Sequence, residues 1–161
     1  MPTDREFIPW ASASRELTTS GAYSQPLGGL TLDWSGSWVD GRAVDLDGEP
    51  HVAGADGTAR IDLSKSFGTV SLSIPDGVVV DLDLTTDSIS GAWLNTINES
   101  GEYGPDSQTL ADSEGRIRQT IGSGPGVDVV ITGSIGGSTL QVQQYVSDLA
   151  EDPTQTEEVQ P

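Results

Sequence analysis

FGTVSLSIPDGVVVDLDL, residues 67–84, is the stretch whose reading decides the fold. Val70, Leu72 and Ile74 alternate with Thr69, Ser71 and Ser73. After Pro75-Asp76-Gly77 the alternation resumes, with Val78, Val80, Leu82 and Leu84 set against Val79, Asp81 and Asp83. Successive side chains of a strand point to opposite faces, so a period of two gives each segment one buried and one wet face. Pro-Asp-Gly supplies the corner between them. The stretch reads as a strand pair, or as two successive levels of a wound β-structure.

The same pattern recurs on either side. In GLTLDWS (29–35), Leu30, Leu32 and Trp34 face in while Thr31 and Asp33 face out. TARIDL (58–63) places Ala59, Ile61 and Leu63 inward. GVDVVI (126–131) aligns Val127, Val129 and Ile131, and residues 138–143 align Leu140 and Val142. Shorter or weaker strands are read at 92–94 and 116–121. Asp40-Gly41 reads as a hairpin turn before further alternation at 42–47, and Asp47-Gly48 and Asp56-Gly57 bracket a polar loop carrying His51.

Elsewhere the pattern fades. Residues 1–26 show no sustained period and read as a poorly defined N-terminal segment. There Phe7, Ile8 and Trp10 either cover an open edge or lie in a juxtadomain segment, and Arg15-Glu16-Leu17 makes one helical turn at most. Residues 95–115 read as a long loop, and 151–161 as a disordered acidic tail. Glycine is 20 of 161 residues, well above the usual roughly 7%, and glycine-led alternating segments recur through the chain. Together these predict an all-β domain over 27–150: a glycine-rich wound β-stack resembling a short β-helix, with a β-sandwich as the alternative.

Charge and composition narrow the functional classes. The formal net charge is −18, from 25 acidic and 7 basic residues. The basic footprint that nucleic acid requires is missing, and an anionic membrane surface would repel the chain. A basic protein, a cationic polymer or metal ions would be attracted; alternatively the excess keeps the protein soluble or suits a salt-rich environment. With no Cys, disulfides, thiolate-bound zinc and thiol nucleophiles are excluded. No apolar run is long enough to span a bilayer. MPTDREFIPWASAS (1–14) lacks a basic region followed by an apolar stretch, so no secretion signal is expected.

Few residues invite chemistry. Asp81 and Asp83 share one strand face, and Asp33, Asp45, Asp62 and Asp128 recur at similar strand positions. Such carboxylates form a solvated face, a Ca²⁺ or cationic-ligand site, or a glycosidase pair. Residues at i and i+2 on a strand are about 6.5–7 Å apart, too wide for one Ca²⁺ unless the side chains bend together or a neighbouring strand helps. His51 is the only histidine and reads as a loop residue. The glycine clusters at 122–126 and 133–137 lack G-K-[ST] and read as turns. Trp34 is in phase with Leu30 and Leu32 and belongs to the core. Trp38 and Trp93 either pack at an edge or form an aromatic platform. The candidate interaction surface is therefore Trp38, Asp81, Asp83 and Trp93, with no catalytic residue, cofactor or metal ligand assigned.

LGGLTLDWSG (27–36), VDGRAVDLDG (39–48) and FGTVSLSIPDGVVVDLDLTTDSISG (67–91) resemble the C-terminal β-rich region of bacterial LiaF-like and PspC-associated envelope-stress proteins, part of the broader toast-rack group of adhesin-like domains. The resemblance covers about residues 27–143. It implies a wound β-stack, no enzyme, and a non-catalytic interaction or scaffold role in sensing cell-envelope stress. It also implies another envelope protein as partner, and attachment to the membrane through a membrane-anchored parent or partner rather than direct insertion. The chain departs from the pattern at Trp34, where a small apolar residue such as Leu is usual, and at Lys65-Ser66-Phe67, which replaces a glycine-leaning entry. The 95–115 segment has no counterpart, and the chain carries no membrane helix. The alternative is a carbohydrate-active or adhesive extracellular β-domain that uses its Asp-rich and Trp surfaces.

Overall fold

A computed structural model describes residues 6–34, 37–39, 42–44, 47–55, 57–97, 108–122 and 124–146. The alternating segments become strands. In chain order these are β1 (Glu6–Phe7), β2 (Ala11–Glu16), β3 (Gly21–Gln25), β4 (Gly28–Asp33), β5 (Ser37–Val39), β6 (Arg42–Val44) and β7 (Ala59–Lys65). There follow β8 (Thr69–Ile74), β9 (Val80–Thr85), β10 (Ala92–Ile97), β11 (Gln108–Thr109), β12 (Arg116–Ile121), β13 (Val129–Ser134) and β14 (Thr139–Tyr145). One short 3-10 turn, Ile89–Gly91, leads into β10. The protein is all-β, built from two six-stranded sheets of mixed parallel and antiparallel strands and a small β5–β6 hairpin.

The first sheet has the order β1-β3-β7-β13-β9-β12, and the second β11-β10-β14-β8-β4-β2. The chain passes back and forth between them: β3 to β4, β7 to β8, β9 to β10, β13 to β14. Within each sheet these strands pair parallel and in register. Only β12 on β9 and β11 on β10, at one end of each sheet, pair antiparallel. Apolar residues facing inward from both sheets make one core, including Leu32, Ile61, Leu72, Leu82, Ile131 and Leu140.

The order of pairs is not the order of the chain. β9 and β10 do not lie beside β7 and β8; β13 and β14, the last strands of the described chain, fill the position between. The Pro75-Asp76-Gly77 corner therefore spans two strand spacings. The β5–β6 hairpin leans on this corner, with the Ala43 N–H donating to the Asp76 carbonyl at 2.8 Å and Arg42 pairing with the Asp76 carboxylate at 3.5 Å.

Several readings need correction. Residues 6–25 hold three strands that extend both sheets, and Arg15-Glu16 ends β2 instead of starting a helical turn. Their pattern is faint because small and polar side chains occupy most positions. Within 95–115, β10 continues to Ile97 and β11 pairs back on it. The Asp40-Gly41 turn, Asp45 and the 151–161 tail lie outside the described residues.

Candidate functional site

The outer faces of the two sheets differ in charge. On the first sheet, Arg60, Val130, Asp81 and Thr120 form one register row, and Ala22, Asp62, Thr132, Asp83 and Arg118 the next. Hydrogen bonds and ion pairs hold these groups to each other. Thr120 donates to Asp81 at 3.0 Å, Thr132 donates to Asp62 at 3.0 Å, and Arg118 stands 3.8 Å from Asp83. Asp62 and Asp83 are separated by the Thr132 strand. Among the described residues no group of three or more potential ligands gathers around a cation position.

The second sheet is nearly free of charge. β8, β10, β11 and β14 contain no Asp, Glu, Lys or Arg; the sheet's charges are Arg15, Glu16 and Asp33 at one end. Its outward rows carry hydroxyls and amides. Ser14, Thr31, Ser71, Gln141, Trp93 and Thr109 form one row, and Ser12, Gly29, Thr69 and Thr139 another.

Along one margin of this face runs an apolar ridge. Continuing the registers back into the corners where the chain enters the second sheet aligns Trp10 with Leu27, Leu27 with Phe67, and Phe67 with Gly137. The 3-10 turn carrying Ile89 occupies the same corner of the next strand pair. Backbone hydrogen bonds tie the corners together: Phe67 N–H to Pro26 O, Gly137 N–H to Ser66 O, Asp87 N–H to Gly136 O. Trp10 is 75% exposed, Phe67 60%, Leu27 46% and Ile89 41%; four of the six large apolar side chains exposed among the described residues stand in the corners that lead into the second sheet. The flanking positions are uncharged: PWA (9–11), PLG (26–28), SFG (66–68), GGS (136–138) and SIS (88–90). In a chain of net charge −18 this is a marked segregation.

Buried polar side chains fix the ridge from beneath. Lys65 ends β7 facing inward, and its ammonium donates to the carbonyls of Gly28 and Phe67, each at 2.8 Å. Burial pushes the Lys65 pKa below its ordinary value. Gln25, its register partner, donates to Gly29 O at 3.2 Å. Gly68 sits at φ 113°, where a Cβ would lie 1.9 Å from the Gly28 carbonyl oxygen. The Phe67 ring lies over Gly137, whose missing side chain leaves it room.

Arg15 closes the open end of the second sheet. It pairs with Glu6, which raises its pKa and lowers that of Glu6. It also donates to the Ser14 carbonyl at 2.8 Å and lies 5.6 Å over the Tyr23 ring. An inward-facing charge on an edge strand disfavours strand-to-strand association.

The other buried constellation is structural. Asp128 precedes β13 and, contrary to the outward placement expected of it, is buried. Its carboxylate accepts from Val79 N–H and Gly54 N–H, each at 2.8 Å, and from His51 Nε2 at 2.7 Å. Both carboxylate oxygens already accept from backbone N–H groups, so the carboxylate is the acceptor of this pair and Nε2 the donor. His51 is buried as well, its ring 5.1 Å from that of Trp34. The polar loop thus folds inward and is anchored at the doubled corner beside β13. Alternation misplaced Asp128 because the residue lies before the strand begins.

The expected surface residues do not form one patch. Asp81 and Asp83 lie on the outer face of the first sheet, and Trp93 on that of the second. Trp38 is in β5, opposite Ala43. Trp34 is in the core as expected. The ridge residues Leu27 and Phe67 were missed, since exposed apolar residues outside strands carry no periodic signal. Comparison with family models, with curated proteins and with solved structures finds no match.

Proposed function

We propose that this protein is a non-catalytic interaction domain whose contact surface is the ridge together with the two uncharged outward rows of the second sheet beside it, away from Glu16 and Asp33. In this reading the two sheets are the walls of a wound β-stack, a short solenoid. Parallel, in-register pairing and the back-and-forth path of the chain support that finer description. The observation that carries the function is the alignment of Trp10, Leu27 and Phe67 in one uncharged row of a strongly acidic protein. Exposed apolar side chains gathered on one line mark a contact surface, whereas scattered ones need no explanation. Attachment to the bacterial cell envelope, in a role in stress sensing, is the biological setting implied by the resemblance of residues 27–143.

The test is retention of the chain on washed bacterial envelopes. Wild type should be retained, Asp83→Asn on the first sheet should be retained equally, and Trp10→Ala/Phe67→Ala should be released. Equal behaviour of wild type and the ridge double variant would remove the contact surface proposed.

A further inference from the structure

We infer that the ligand of this surface is a neutral polysaccharide, an inference that rests on the interaction-domain reading. A sugar ring presents an apolar C–H face and a rim of hydroxyls. It is held by flat aromatic side chains together with neutral hydrogen-bonding groups. Both are adjacent here. Trp10 and Phe67 stand on one ridge, two strand spacings or roughly 10 Å apart, with Leu27 between them. Beside them run the hydroxyl row of Ser12, Thr69 and Thr139 and the row that runs through Trp93 to Thr109.

Charge decides among partners. A cationic polymer would seek the carboxylates of the first sheet, and an anionic one would meet the field of an acidic protein. The ridge and the two rows beside it carry no charge, Glu16 and Asp33 lying at the far end of the strands, and they suit a ligand without charge. Their shape and repeat decide further. The ridge is one residue wide and borders rows of hydroxyls, so it offers little apolar area to a bilayer. Side chains repeat at about 4.8 Å across the strands and about 7 Å along them, and such a periodic face fits a polymer of repeating units.

Native affinity electrophoresis of the full chain tests this. The gels contain hydroxyethylcellulose, laminarin, galactomannan or soluble starch, with polygalacturonate as the anionic comparison and phosphatidylcholine vesicle flotation as a separate arm. Thermal melts establish that each variant is folded. At least one neutral polysaccharide should retard wild type and Asp83→Asn alike. Trp10→Ala/Phe67→Ala should bind it roughly tenfold more weakly, the loss of two ring contacts. Polygalacturonate should not retard the chain. Absence of retardation by all four neutral polymers, or retardation indifferent to the ridge variant, overturns the inference. Ridge-dependent flotation with the vesicles would put a bilayer in place of the glycan. Ridge-dependent retention on envelopes without retardation by any polysaccharide would refute the glycan while leaving the interaction domain standing; loss of both refutes both.

Discussion

His51 and Asp128, 77 residues apart in sequence, meet through a 2.7 Å hydrogen bond between Nε2 and Oδ1, with both side chains almost wholly buried. The same carboxylate holds Val79 N–H and Gly54 N–H. Asp128→Ala would leave two buried donors and one partly buried donor without their acceptor, at a cost of about 3–5 kcal/mol. His51→Ala removes one donor of three and should cost less. Urea denaturation of both variants and of the double variant measures this, and the double variant should be less destabilised than the sum of the singles. A His51→Ala loss exceeding that of Asp128→Ala would contradict the anchoring role of the carboxylate.

Leu72 and Leu82 are fully buried on facing sheets. Truncation of either to Ala should cost about 2–5 kcal/mol. Asp83→Ala should cost at most about 1 kcal/mol, because its pairing with Arg118 at 3.8 Å is largely exposed to water. Denaturant midpoints rank the three, and a larger loss at Asp83 would reverse the facing of β9.

Gly68→Ala should be strongly destabilising for its size. The positive φ and the Gly28 carbonyl both exclude a side chain there, so the cost should exceed about 1 kcal/mol. Gly48→Ala is the comparison: it also has a positive φ, but nothing lies within 4 Å of the added carbon. Thermal melts of the pair should separate backbone strain from steric exclusion.

Lys65 should give stability a component that rises with pH. Its pKa is lowered in the folded state, so the unfolded chain binds the proton more tightly. Between the folded pKa and the unfolded value of about 10.4, deprotonation favours the fold, and the gain is complete above that value. Tyr23 opposes this at the alkaline end: its raised pKa stabilises the unfolded phenolate above about 10. The difference between wild type and Lys65→Met cancels the Tyr23 contribution. Urea melts between about pH 8 and 10.5 should show wild type gaining on the variant. A falling difference would assign Lys65 the opposite shift.

Calcium should stabilise the fold no more than sodium at matched ionic strength. Asp81 is engaged by Thr120 and Asp83 by Arg118, and the two lie in separate register rows. A calcium-specific rise in Tm lost in Asp81→Asn/Asp83→Asn would make them ligands.

Strand positions were legible because alternation encodes facing, and Leu30, Leu72, Leu82 and Leu140 all face the core as read. Neighbour order was not. Nothing in the period of β13 says that it belongs between β7 and β9, because any inward-facing Val-x-Ile would fit any level of either sheet. The inward Lys65 and buried Asp128 broke the rule that charge marks the wet face. Asp128 is compensated by backbone N–H groups distant in sequence, and Lys65 by the carbonyls of the distant Gly28 and of Phe67 two residues on. The ridge was illegible for a related reason: Trp10, Leu27 and Phe67 become neighbours only once the register is known.

The insertion of β13 and β14 has a consequence for how the protein is made. A ribosome releases β9 and β10 before the strands that will separate them from β7 and β8, so the middle of both sheets is the last part synthesised. A nascent chain that closed the gap early, with the same register, would set Asp62 directly against Asp83, where Thr132 stands between them in the finished protein. Like charges on adjacent strands repel, which disfavours that premature closure. A product cut short before residue 129 lacks the centre of its core while keeping every outer strand.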